Sequence, residues 1–115
     1  MGTPELVEPD LGPIIPESTT LAGMVSGVKA LPFDLDEEMR CLATTVYFES
    51  KGEPLEGQLA VAQVVLNRVE HGRFGKGICD VVTAPRQFSF VVRGQLPEPA
   101  RGVAWQTARA VAMIA

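Results

Sequence analysis

The chain holds one histidine, two cysteines, one tryptophan and one tyrosine among 115 residues, and aromatic residues make up only 6%. With a single imidazole and no CxxC pair, ligand spacing for a zinc site is lacking, so no metal and no cofactor are expected. No apolar run reaches the ~18 residues of a membrane-spanning helix, and no basic segment precedes an apolar stretch at the N-terminus, so neither a membrane span nor an intact secretory signal is read. Internal repeats and low-complexity tracts are lacking too. What remains is one domain's worth of chain, 46% apolar and 21% charged, a composition that folds around one modest core.

The charge is unevenly spread. Residues 1–40 carry 8 acidic and 2 basic side chains, whereas residues 41–115 carry 6 acidic and 8 basic. A weakly cationic second half suits a polyanionic polymer, yet it lacks the Lys/Arg clusters interleaved with aromatics that nucleic acid requires, so nucleic acid is not expected as a partner. Cys41 and Cys79 stand 38 positions apart. They could form one disulfide in an oxidising compartment, worth about 3–4 kcal/mol, or two separate buried thiols.

Five of the nine prolines fall within the first 32 residues. Residues 1–18 therefore read as an extended acidic leader, and 19–31 as a short helix or a strap across the domain. The division is residues 1–31 as leader and 32–115 as domain. A first helix is expected from Leu35 to Ser50, capped by Asp34 or Asp36, with Glu37 and Glu38 at the positive end of its dipole and Gly52 as its stop. A second, largely buried helix runs from Pro54 to Glu70 with Gly72 beyond it, its apolar stripe of Leu55, Leu59, Ala62, Leu66 and Val69 widened by Val61, Val64 and Val65. Residues 78–83 make a helical turn, and 87–92, rich in aromatic and β-branched side chains, a short strand or extended loop. From Ala100 a third helix shows Ala104, Ala108, Val111 and Ala115 on one face, with Trp105 beside it. It stops at Ala-Met-Ile-Ala without a cap, as expected of a fragment.

At ~100° per residue, Glu49 shares the side of the first helix that carries Leu42 and Val46. A carboxyl turned toward the core, beside Tyr47 and Phe48 and at the negative end of a helix dipole, is penalised when charged, so Glu49 is expected to be protonated near neutrality and able to serve as a general acid. The alternative is that Glu49 reaches water or pairs with Lys51 or Arg68 at the helix end. Glu53, just before Pro54 and at capping-box spacing from Ser50, reads as a cap, and Glu56 as a partner of the dipole. His71 reads as a dipole complement or a solvated side chain, since no nucleophile with supporting context accompanies it. Asn67 and Arg68 read as packing and solubility residues. Gln87, Phe88, Ser89 and Phe90 bring together amide, hydroxyl and aromatic groups suited to grip a sugar; equally, the two phenylalanines may be core and Gln87 a backbone partner.

The stretch from Cys41 to Val69, with Tyr47-Phe48-Glu49-x-x-Gly52-Glu53 and Gly57-Gln58-x-Ala60-Val61-Ala62-x-Val64-x-Leu66-Asn67-Arg68, followed by Ile78-Cys79-Asp80-Val81-Val82 and Gln87-Phe88-Ser89-Phe90, resembles the SleB-like cell wall hydrolases. The resemblance covers residues 36–115. It implies an α+β, mainly helical, lysozyme-like fold related to goose-type lysozyme and lytic transglycosylases, and peptidoglycan as substrate. It implies Glu49 as the single catalytic glutamate of a lytic transglycosylase, with Tyr47, Gln87 and Ser89 lining the cleft. A periplasmic or secreted location follows from the substrate. The rival readings are an N-acetylmuramoyl-L-alanine amidase and a non-catalytic peptidoglycan-binding module. This sequence departs from the resemblance at Arg86, where family members often carry a cysteine that would partner the one matching Cys79. A Cys41–Cys79 bridge is then one possibility. It also lacks the family's aromatic, histidine-containing C-terminal segment.

Overall fold

The helical periods become helices in the computed structural model, which describes residues 20–31 and 34–115. The leader assigned to residues 1–18 lies outside that range. Five helices follow one another: α1 (Leu21–Lys29), α2 (Glu37–Ser50), α3 (Leu55–His71), α4 (Ile78–Thr83) and α5 (Val103–Ile114). Of the two candidate caps for α2, Asp36 takes the role, its Oδ1 accepting from Met39 N at 2.8 Å. Gly72 ends α3 in the left-handed conformation, φ 68°, which only glycine enters at little cost.

The central element is α2, which packs against α3, α4 and α5. It is buried on nearly every side from Cys41 to Tyr47. Thr45 tolerates this because the helix absorbs its polarity locally: its Oγ1 donates to Cys41 O at 2.8 Å. α1 lies on α5 and sends Val25 into the core, with Lys29 Nζ donating to Thr107 Oγ1 at 3.3 Å. α3 is less buried than its stripe suggests. Only Gln58, Ala62 and Val65 are fully covered, and Val64 is exposed, because α3 sits at the margin of the bundle and a widened apolar face exceeds what its neighbours can cover. On α5 the covered face is Trp105, Ala108, Ala110, Val111 and Ala112, while Ala104 and Ala115 face outward.

Among the described residues no strand forms, so the α+β expectation reduces to a mainly helical fold. The one β pairing is an isolated antiparallel bridge between Val92 and Gln95, closed through Arg93 and Gly94 at φ 54° and 73°, the positive pair that a type I′ turn demands. The chain from Ala84 to Val91 is folded by two successive turns, the second of which replaces a strand within 87–92: Gln87 N donates to Ala84 O and Val91 N to Phe88 O, each at 3.3 Å. The β-branched and aromatic content of this segment serves side-chain packing without a partner strand.

Two ties bind the short helix α4 to α2. Cys41 and Cys79 form a disulfide with their Cα atoms 5.3 Å apart, which decides between the two readings of the cysteines. One turn earlier on α2, the Glu38 carboxylate caps α4, with Oε1 accepting from Ile78 N and, at 3.3 Å, from Cys79 N. This contact requires glycine at position 77, where a Cβ would stand 2.7 Å from Glu38 Oε1. Gly77→Ala is therefore expected to expel the carboxylate and cost about 1 kcal/mol, read as a lowered urea midpoint. An unchanged midpoint would show that the cap contributes nothing.

Candidate active site

Glu49 occupies the last turn of α2, where the helix runs beyond its tightly packed stretch. Its neighbour Ser50 is buried, with Oγ donating to Val46 O at 2.8 Å, whereas Glu49 is exposed. The expectation of a carboxyl covered by the core is corrected. The helical period points Glu49 along the Leu42–Val46 side, but packing thins at the helix terminus and the side chain emerges into water. Its carboxylate makes no hydrogen bond or ion pair with any described residue, Lys51 and Arg68 included.

The backbone around Glu49 is held from both ends. Lys51 N donates to Tyr47 O at 3.0 Å, and Glu53 N donates to Ser50 O at 3.0 Å. Lys51 at φ −60°, ψ 140° and Gly52 at φ 85° make this a type II turn, which needs glycine at its third position. The turn hands the chain to α3, whose cap residue is Pro54 with no side-chain cap hydrogen bond. Glu53 is thus not the cap that its spacing suggested, because Ser50 belongs to the end of α2 and points its hydroxyl back into that helix. Instead Glu53 lends its carbonyl to Gln58 Nε2 at 3.0 Å, while its own side chain is exposed. Gln58 is 5% exposed and locks the turn to α3. The sequence reading gave this residue no role; the signal was an amide one turn into a helix that has no side-chain cap.

Beside Glu49 runs an aromatic row. Phe48 meets Tyr47 edge-on at 4.8 Å and stacks on Phe90 at 5.4 Å and 28°, and Phe90 lies 5.6 Å from Phe88. The turns of 87–92 make this possible by bringing alternate residues of that segment against the end of α2. Tyr47, expected to line the cleft, is 4% exposed and packed edge-on against Trp105 at 6.2 Å, so its ring is a support rather than a surface. Lys51, one turn further on, spans it: Nζ sits 4.6 Å from the ring centre and donates to the Tyr47 hydroxyl at 3.4 Å. The i,i+4 spacing of an aromatic and a lysine was the available signal.

Gln87 and Ser89 flank Phe88. Ser89 is exposed, and Gln87 is half-buried, with Oε1 accepting from Arg68 Nη1 at 2.9 Å while the same guanidinium lies 5.7 Å from the Phe88 ring centre. Arg68 is therefore a fixed part of the site's flank and not a solubility residue. Beyond it a cleft of about 520 Å³ opens between the end of α3 and this segment, lined by Asn67, Arg68, His71, Arg73 and Gln87 among others. On the far side of α2, Glu37 approaches Cys41 and Cys79 with candidate ligand atoms within 4.8 Å of one another. The two sulfurs are bonded to each other and offer no thiolate.

The family model described as Cell Wall Hydrolase matches residues 52–115. Among curated proteins, the spore cortex-lytic enzyme of Bacillus subtilis (strain 168) is 41% identical over 61 residues, 53% of this chain and 20% of that protein. The spore cortex-lytic enzyme of Oceanobacillus iheyensis is 42% identical over 59 residues, 51% of this chain and 21% of its own length. That of Bacillus cereus is 44% identical over 59 residues, 51% and 23%. The chain thus spans about a fifth of the length of these relatives. No solved structure matches it.

Proposed function

Because the chain belongs to the cell wall hydrolase family, we propose that it cleaves the glycan strands of peptidoglycan as a lytic transglycosylase, with Glu49 as its single catalytic residue and a lysozyme-like domain as its scaffold. The observation that carries this reading is an unpaired carboxylate fixed at the end of a rigid helix beside a row of aromatic faces. Glu49 in its protonated form donates to the glycosidic oxygen between N-acetylmuramic acid and N-acetylglucosamine. The C1–O bond breaks through an oxocarbenium-like state, and the leaving sugar takes the proton. The resulting carboxylate accepts the proton of the muramyl 6-hydroxyl as that oxygen closes on C1, giving a 1,6-anhydro ring and restoring the acid. The low-polarity cover that the protein itself does not place over Glu49 comes from the bound sugar, seated against Phe48 and Phe90. Tyr47 and Lys51 hold the end of α2 in position, and Gln87 and Ser89 offer amide and hydroxyl partners to the strand.

A second reading rests on Glu53. Freed from any capping role and exposed one turn of chain away, it could activate water, in which case the bond would be hydrolysed and a reducing end produced. Mass spectrometry of purified strands after incubation separates the readings. Anhydromuramyl ends, each lighter by one water than a reducing end, are expected. Reducing ends would move the chemistry to Glu53 and water, free stem peptides would make the protein an amidase, and no new product would leave a binding module. Since peptidoglycan lies outside the cytoplasmic membrane, the same reading puts the protein in the periplasm or the cell wall, where the disulfide persists. No helix among the described residues is long and apolar enough to cross a membrane.

A further inference from the structure

Arg68, His71 and Arg73 line the 520 Å³ cleft at the end of α3, and each is oriented by a neutral group. Arg68 donates to the Gln87 amide oxygen at 2.9 Å. The His71 ring is fixed through Nδ1, 2.7 Å from Asn67 O. The Arg73 guanidinium lies 5.5 Å from the Phe74 ring centre. None of the three pairs with a carboxylate among the described residues, where the single ion pair is Arg40 with Glu98. Glu70, the nearest acid in the sequence, lines a different cleft with Gln63, Leu66 and Ala115. A dipole role accounts for His71, whose ring turns back onto its own helix, but not for Arg68, which reaches across to the 87–92 segment, nor for Arg73, which lies beyond the helix. Preorganised and unneutralised positive charge around a concavity of small-ligand size is the arrangement that receives an anion.

We propose that this cleft binds a carboxylate of the peptide carried by the glycan strand. The proposal rests on the peptidoglycan reading and extends it along the aromatic row. The contacts run from Phe48, next to Glu49, through Phe90 to Phe88, and Arg68 lies on Phe88 at the mouth of the cleft. A neutral sugar on the aromatic faces and its charged branch among Arg68, His71 and Arg73 would fix both the register and the direction of the strand. Arg73, exposed at the outer side, meets the carboxylate first, and Arg68 supplies the fork for bidentate contact.

The test is an NMR titration of the whole isotopically labelled chain with three probes: a disaccharide tetrapeptide with free carboxylates, the same molecule with its carboxylates converted to amides, and the peptide-free disaccharide. The free-carboxylate probe is expected to move the Arg68 and Arg73 Nε–H and His71 ring signals, and to bind about tenfold more tightly than the amidated one. Arg73→Gln, at an exposed position, should abolish that preference, and His71→Gln should reduce it. Equal affinity for the free and amidated probes, or shifts confined to other residues, overturns the proposal. Strand cleavage without a carboxylate preference would sink this inference and spare the catalytic reading. A carboxylate preference without cleavage would do the reverse.

Discussion

Glu49→Gln is expected to slow the release of anhydromuropeptides from peptidoglycan by about 10²–10⁴-fold while leaving the folded protein intact. The structure makes this a clean substitution, because Glu49 is exposed and makes no hydrogen bond or ion pair with the described residues. Glutamine preserves the shape of the side chain and removes only the capacity to give and take the proton, so an unchanged melting temperature should accompany the lost turnover. Turnover at the original rate would end the role assigned to Glu49. Glu53→Gln belongs in the same experiment: with anhydro ends as the product, it should retain most of the activity, since closure of the 1,6-ring requires no activated water.

Removing the disulfide should have the largest effect on stability. Cys41→Ser together with Cys79→Ser reopens a connection of 38 residues and is expected to cost about 3–4 kcal/mol, lowering the melting temperature by roughly 15 °C or more. α4 has six residues and cannot persist as an isolated helix, so its docking depends on what α2 supplies. With the covalent tie gone, the Glu38 cap and the burial of Val81 and Val82 must hold it. Circular dichroism melts of the double variant, and of the unmodified chain with and without dithiothreitol, measure the effect. Coincident curves for oxidised and reduced protein would show that the bond adds nothing to the fold.

The sequence made the rods legible and the surfaces between them much less so. Asp36, Gly52 and Gly72 mark ends of α2 and α3 because caps and left-handed turns depend on neighbouring residues alone. The period of Leu42, Ala43 and Val46 marks the covered side of α2 for the same reason. Burial at the end of a rod is not a local property. Glu49 follows the apolar side yet stands in water, because whether it is covered depends on how far α3, α5 and the 87–92 segment extend. Glu53 was misread as a cap through a spacing that straddles two helices, and the reach of Glu38 to α4, 40 residues along the chain, has no sequence period at all. The family match begins at residue 52, three residues past Glu49, so the catalytic assignment depends on the Tyr47-Phe48-Glu49 motif and on the geometry around it.

The docking of α1 on α5 imposes an order in time. α5 supplies Trp105, Ala108, Ala110, Val111 and Ala112 to the interior and touches α1, α2 and α3. Until that helix leaves the ribosome, α2, α3 and α4 can pack on one another, but α1 lacks the helix it chiefly docks on, which follows it by some eighty residues. Chain elongation is slow beside helix docking, so α2, α3 and α4 have time to meet before the covered face of α5 arrives to complete the interior.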